Sequence, residues 1–138
     1  MQQSVVQPII KALKRMRACE DSLQFMLGMT TWQEAWDKCQ MGTWMDWYLR
    51  NKLKVEIKSV SARTEAMNEV GALLEMVEKD GPCSCGCGLN LFIGPVGEKK
   101  LAALFREKYP VAPTSPAELE KNERFDAYFS DYINFTST

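Results

Sequence analysis

The chain has 138 residues, a formal net charge of −1, 46% hydrophobic and 25% charged residues, and no histidine. That size and balance predict one ordinary globular domain, able to bury about two-thirds of its unfolded surface without disulfides, and argue against a disordered or strongly basic nucleic-acid-binding chain. The missing imidazole removes the usual acid–base group near neutral pH and leaves thiolate, carboxylate or water as the ligands for any metal.

Residues 4–16 carry Val5, Val6, Ile9, Ile10, Leu13 and Met16 at three- and four-residue spacing, which predicts a helix with Ser4 as cap and Pro8 near its first turn. The pattern resumes through Ala18, Leu23, Phe25, Met26 and Leu27 and stops at Gly28, so one long helix or two short ones fit. Thr31-Trp32-Gln33-Glu34 has the form of a capping box and opens a short helix to about Cys39. Gly42 is read as a break, with Thr43 capping the next helix, which bears Trp44, Trp47, Tyr48 and Leu53. Residues 54–58 alternate polar and apolar but have no strand to pair with, so they read as loop or helix extension. Ser59 or Ser61 opens a helix to about Lys79 with the stripe Val60, Thr64, Met67, Val70, Leu73, Leu74 and Val77.

Residues 80–97 are expected to be a Cys-, Gly- and Pro-rich loop, in which Leu89–Ile93 is an apolar plug or short strand. A helix follows over 98–108, then a stiff connection at Pro110, Pro113 and Pro116, and a last helix after Ser115 or at Asn122 with Phe125, Tyr128, Phe129, Tyr132 and Phe135. The predicted fold is all-α: a single domain over 1–138, built as a compact bundle of about five or six helices with one Cys/Gly-rich loop.

Charge alternates in blocks. Residues 1–17 carry Lys11, Lys14, Arg15 and Arg17 and no acid, residues 18–47 are acidic, 49–63 basic and 64–80 acidic again. Opposing faces that pair within the fold explain this without a nucleic-acid surface. No apolar run approaches the ~20 residues of a membrane span. The Met1-Gln2-Gln3-Ser4 start lacks a secretory pattern, and five cysteines is an odd number, so a reducing, cytoplasmic compartment is expected.

Cys83, Cys85 and Cys87 alternate in the loop and could together reach one soft cation such as zinc, with Cys19, Cys39, a carboxylate or water as fourth ligand. Paired Cys-x-x-Cys knuckles are absent, and alternating thiols suit Cu(I) or redox chemistry equally well. Reduced thiols without a ligand are the simpler reading.

All four tryptophans fall between positions 32 and 47. Trp32 and Trp36 share one helical face, and Trp44, Trp47 and Tyr48 share another, able to stack on Phe25 and Met26. Such rings serve either as the core of a helical hairpin or as a patch for a protein partner, where Trp and Tyr are common anchors. Trp44, Trp47, Tyr128 and Tyr132 are the candidate partner-binding residues.

The segments Ala18-Cys19-Glu20…Leu23…Phe25, Thr31-Trp32-Gln33-Glu34-Ala35-Trp36-Asp37-Lys38-Cys39 and Gly42-Thr43-Trp44-Met45-Asp46-Trp47-Tyr48-Leu49 resemble a pattern in small bacterial and phage proteins, some of them immunity proteins. The resemblance spans about residues 18–50 and implies an all-helical fold in a bacterial or phage setting, with no catalytic residue to carry over. Phosphate-loop, dinucleotide and serine-elbow motifs are missing, and a cysteine nucleophile would lack an imidazole base. The expected function is therefore protein–protein binding by a phage or bacterial accessory protein, for instance an inhibitor of a host defence or rival factor, and not an enzyme. The alternative is a zinc- or thiol-dependent module contacting nucleic acid or protein near Lys99, Lys100 and Arg106.

If the thiols are unligated, protein purified without chelators contains far less than one zinc per chain by elemental analysis and melts cooperatively. One zinc per chain, lost together with the cooperative melt on chelation, would contradict this and place the metal at Cys83, Cys85 and Cys87.

Overall fold

The computed structural model describes residues 3–77, 94–125 and 127. Among them the regular elements are all helices: α1 (Gln3–Arg15), α2 (Glu20–Leu27), α3 (Trp32–Lys38), α4 (Gly42–Glu56), α5 (Val60–Glu75), α6 (Gly94–Lys108) and the single turn α7 (Pro116–Leu119). None of these helices is long and apolar enough to cross a membrane.

α1 and α2 are separate helices. Arg17 takes a left-handed conformation (φ 69°), its N–H bonds to the Lys14 carbonyl at 3.0 Å, and the Ala18 N–H reaches the Leu13 carbonyl at 3.0 Å. This is the Schellman arrangement that closes a helix, built here on arginine instead of glycine. Pro8 lies inside α1, one turn deeper than the sequence suggested. α3 starts as expected: Thr31 accepts from the Glu34 N–H at 3.0 Å, while Glu34 reaches back to the N–H of Thr30 at 2.7 Å. α4 extends through 54–56, and Ser59 caps α5 by accepting from the Ala62 N–H.

Four expectations need correction. Gly42 does not break the chain; it opens α4. A β-carbon there would lie 2.4 Å from the Leu101 Cβ and 2.8 Å from the Ala102 backbone nitrogen, so glycine lets α4 and α6 touch. Thr43 is not the cap of α4, which is Met41. Instead the Thr43 N–H and hydroxyl both donate, at 2.8 Å, to the Glu98 carboxylate, so α6 supplies the acid that satisfies the α4 N-terminus. The loop ends earlier than residue 97, because Gly94 already begins α6. Pro95 has the fixed φ suited to a first helical turn, and Gly94 and Gly97 are small enough to be buried there. Of the predicted stripe along and just beyond α5 only Val70 and Val77 are buried, and Val60 is 67% exposed, because among the described residues α5 packs mainly on α4 and α6.

Among the described residues two apolar clusters form the interior. One joins α1 and α2 to Tyr48, Val55, Leu119 and Phe125; the other joins Trp36, Cys39, Met45 and Leu49 to Val70, Val77, Leu101, Ala102 and Phe105. Phe25 packs against both. Phe125 is fully buried beneath the Arg15 guanidinium, which lies 5.2 Å from its ring. The other members of the predicted last helix, Tyr128 and Tyr132 among them, lie outside the described residues, as do Leu89–Ile93 and Cys83, Cys85 and Cys87.

The two helical glycines should respond oppositely to alanine. Gly42→Ala forces backbone apart at the α4–α6 contact and should lower unfolding free energy by about 1–3 kcal/mol. Gly71→Ala meets only the far end of the Arg50 side chain, at 3.4 Å, an ordinary contact, and should raise it by roughly 0.5–1 kcal/mol through helix propensity. Urea midpoints of the two variants check both signs; equal effects would contradict the packing described.

Candidate functional site

The tryptophan segment builds a cleft. α2, α3 and α4 surround a cavity of about 300 Å³. α2 contributes Ser22, Phe25 and Met26, and α3 contributes Trp32, Ala35 and Trp36. α4 contributes Trp44, Met45, Trp47 and Tyr48. Leu13 and Cys39 complete the wall, with Arg17 and Cys19 contributed by the turn between α1 and α2. All four tryptophans therefore line one space. Trp36 is buried, at 3% exposure, whereas Trp32, Trp44 and Trp47 are half-buried.

The rings are fixed from outside the cleft. The indole N–H of Trp32 donates to the Pro113 carbonyl and that of Trp36 to the Tyr109 carbonyl, each at 2.8 Å. Between them Gln33 grips the same connection twice, donating to the Pro110 carbonyl at 3.2 Å and accepting from the Ala112 N–H at 2.8 Å. The Tyr48 hydroxyl donates to the Thr114 carbonyl. The proline-rich segment after α6 is thus a strap across α3 and α4. Edge contacts hold the other faces: Trp32 meets Tyr48 at 5.0 Å and 63°, and Trp44 meets Phe25 at 6.0 Å and 58°.

The far end of α3 is held by Arg106, whose guanidinium donates to the carbonyls of Trp36 and Cys39. Those are helix-terminal carbonyls that would otherwise lack partners. Arg106 therefore turns inward and is half-buried, while Lys99 and Lys100 are exposed. Of the three cationic residues considered for a nucleic-acid contact, one serves the fold.

The two described thiols both border the cleft, in different ways. Cys39 is buried, its thiol donates to the Met41 carbonyl at 3.4 Å, and burial pushes its pKa up, so it stays protonated and unreactive. Cys19 is exposed and is not packed into the core. It is the exposed N-cap of α2, where its carbonyl accepts from the Ser22 hydroxyl at 2.8 Å. Among the described residues no group of three metal-ligating side chains comes together.

Trp44 and Trp47, two of the candidate partner-binding residues, stand in the cleft wall. Sequence reasoning found these rings but missed what positions them. Glu98, Arg106 and the carbonyls of 109–114 act through backbone atoms or across long separations, and no local pattern marks them. Arg17 was missed for another reason: a left-handed arginine has no sequence signature.

Burial drives the Tyr48 phenol pKa far above its ordinary value, with Glu56 adding to the shift. A group whose pKa rises on folding contributes stability below its unfolded pKa of about 10 and loses it as pH climbs above that. Tyr48→Phe should therefore cost about 1 kcal/mol near neutral pH, through the unpaired Thr114 carbonyl, yet flatten the decline in stability above about pH 10. Denaturant midpoints across the alkaline range check this; an unchanged alkaline slope in the variant would contradict it.

Comparisons with protein-family models, with curated proteins and with solved structures find no match to this chain.

Proposed function

We propose that this is a binding protein without catalytic activity of its own, which takes a bulky apolar side chain of another protein into the tryptophan cleft. The observation that carries the reading is the cleft itself, about 300 Å³ of space walled by four indoles, three of them only half-buried. Large, well-placed aromatic surface at a concave site is the chemistry of interface anchors. The described residues add little that could turn a substrate over: the chain lacks imidazole, and the thiol deepest in the wall, Cys39, is held neutral by burial. With the resemblance over residues 18–50, the favoured specific form is a cytoplasmic phage or bacterial accessory protein that inhibits a host defence or rival factor.

The test is affinity capture from a bacterial lysate with the wild type and with Trp44→Ala and Trp47→Ala, each first shown to be helical by circular dichroism. One protein recovered in stoichiometric amount by the wild type, and reduced about tenfold or more by either variant, is the expected result. Equal recovery by all three forms would contradict the site, and purified protein that turns over a small molecule would contradict the class.

A further inference from the structure

The inner surface of the cleft is chemically more uniform than its residue types suggest. Several of its hydrogen-bonding groups are committed elsewhere, and of its four indoles those of Trp44 and Trp47 keep an N–H without a partner among the described residues. The indole N–H groups of Trp32 and Trp36 and the Tyr48 hydroxyl are bonded to the strap, and the Cys39 thiol to Met41. A sugar, nucleotide or peptide backbone entering the cleft would give up water and find few partners, which costs more than the contacts return.

Aromatic walls can also attract a cation. Here, however, the described residues of the lining include no carboxylate, and Arg17 is the one formally charged residue among them. A quaternary ammonium would lose hydration and find no opposite charge among the described lining residues. What remains is dispersion and apolar burial against rings and thioethers.

Size then narrows the ligand. A dry apolar cavity of about 150 Å³ is filled by one benzene molecule. The cleft has about 300 Å³, room for two fused rings. We propose that the cleft is a small-molecule site for a neutral, planar aromatic compound of two fused rings. This goes beyond the protein-binding reading and does not rest on it, because a free ring needs only the cleft's shape and chemistry.

Naphthalene is titrated into the full-length ¹⁵N-labelled chain and followed through the indole N–H signals. Saturation at one equivalent is expected, with a Kd on the order of 100 µM. Benzene should bind at least about tenfold more weakly because it leaves half the space empty, and tetramethylammonium should produce no saturable shift. Two variants locate the site. Ser22→Phe fills the cleft from its half-buried edge, and Trp47→Leu removes one wall; each should weaken naphthalene binding about tenfold or more, with helicity retained as the control. The proposal is overturned if naphthalene gives no saturable shift, if tetramethylammonium binds as tightly, or if a folded Ser22→Phe binds naphthalene unchanged. Protein capture uses no small molecule, so the two readings fail separately.

Discussion

A helix of seven residues makes too few internal hydrogen bonds to persist alone, and α3, on which the cleft depends, is such a helix. It exists because other parts of the chain hold it on three sides. Thr31 satisfies its first turn, Arg106 takes the carbonyls at its end, and the strap over 109–114 bonds to Trp32, Gln33 and Trp36 along its flank. The strap bonds join residues more than seventy positions apart in the chain, so the local helix and the global topology form together or not at all.

The same bonds shape the site. An indole is amphipathic, and a buried N–H without a partner is costly. By placing two of these groups against strap carbonyls, the fold turns the polar edges of Trp32 and Trp36 away and leaves their carbon surface for the cleft. A second set of contacts keeps α4 opposite α3. Glu98 grips the α4 N-terminus and Gly42 allows α6 to approach it, so the two helices carrying the four rings are both fixed from α6 and its continuation. The cleft is therefore built before any ligand arrives, which lowers the ordering cost of binding.

The all-α architecture was legible because amphipathic spacing and capping residues are local signals. Thr31 caps the helix it was expected to cap, and of the two serines offered for α5 it is Ser59 that does so, while Ser115 caps only the single turn α7 and not a helix carrying Phe125. The tryptophan clustering was equally legible, since it is a fact of position. The cleft was not, because whether rings close into a core or stand around a space depends on what braces them from behind. That brace is a proline-rich segment whose carbonyls carry no side-chain identity. Gly42 misled for a related reason: glycine marks a chain break and a close helix contact with the same letter, and only Leu101 across the interface separates the two.

The account turns on the strap bonds of Trp32 and Trp36, and indole hydrogen exchange reads them directly. In the ligand-free protein at neutral pH, two of the four indole protons, those of Trp32 and Trp36, should exchange slowly, and those of Trp44 and Trp47 much faster. Substituting Ala112 by proline, which removes the N–H held by Gln33, should speed both slow protons together. Four indole protons exchanging at one common rate, or slow protons assigned to Trp44 and Trp47, would contradict it.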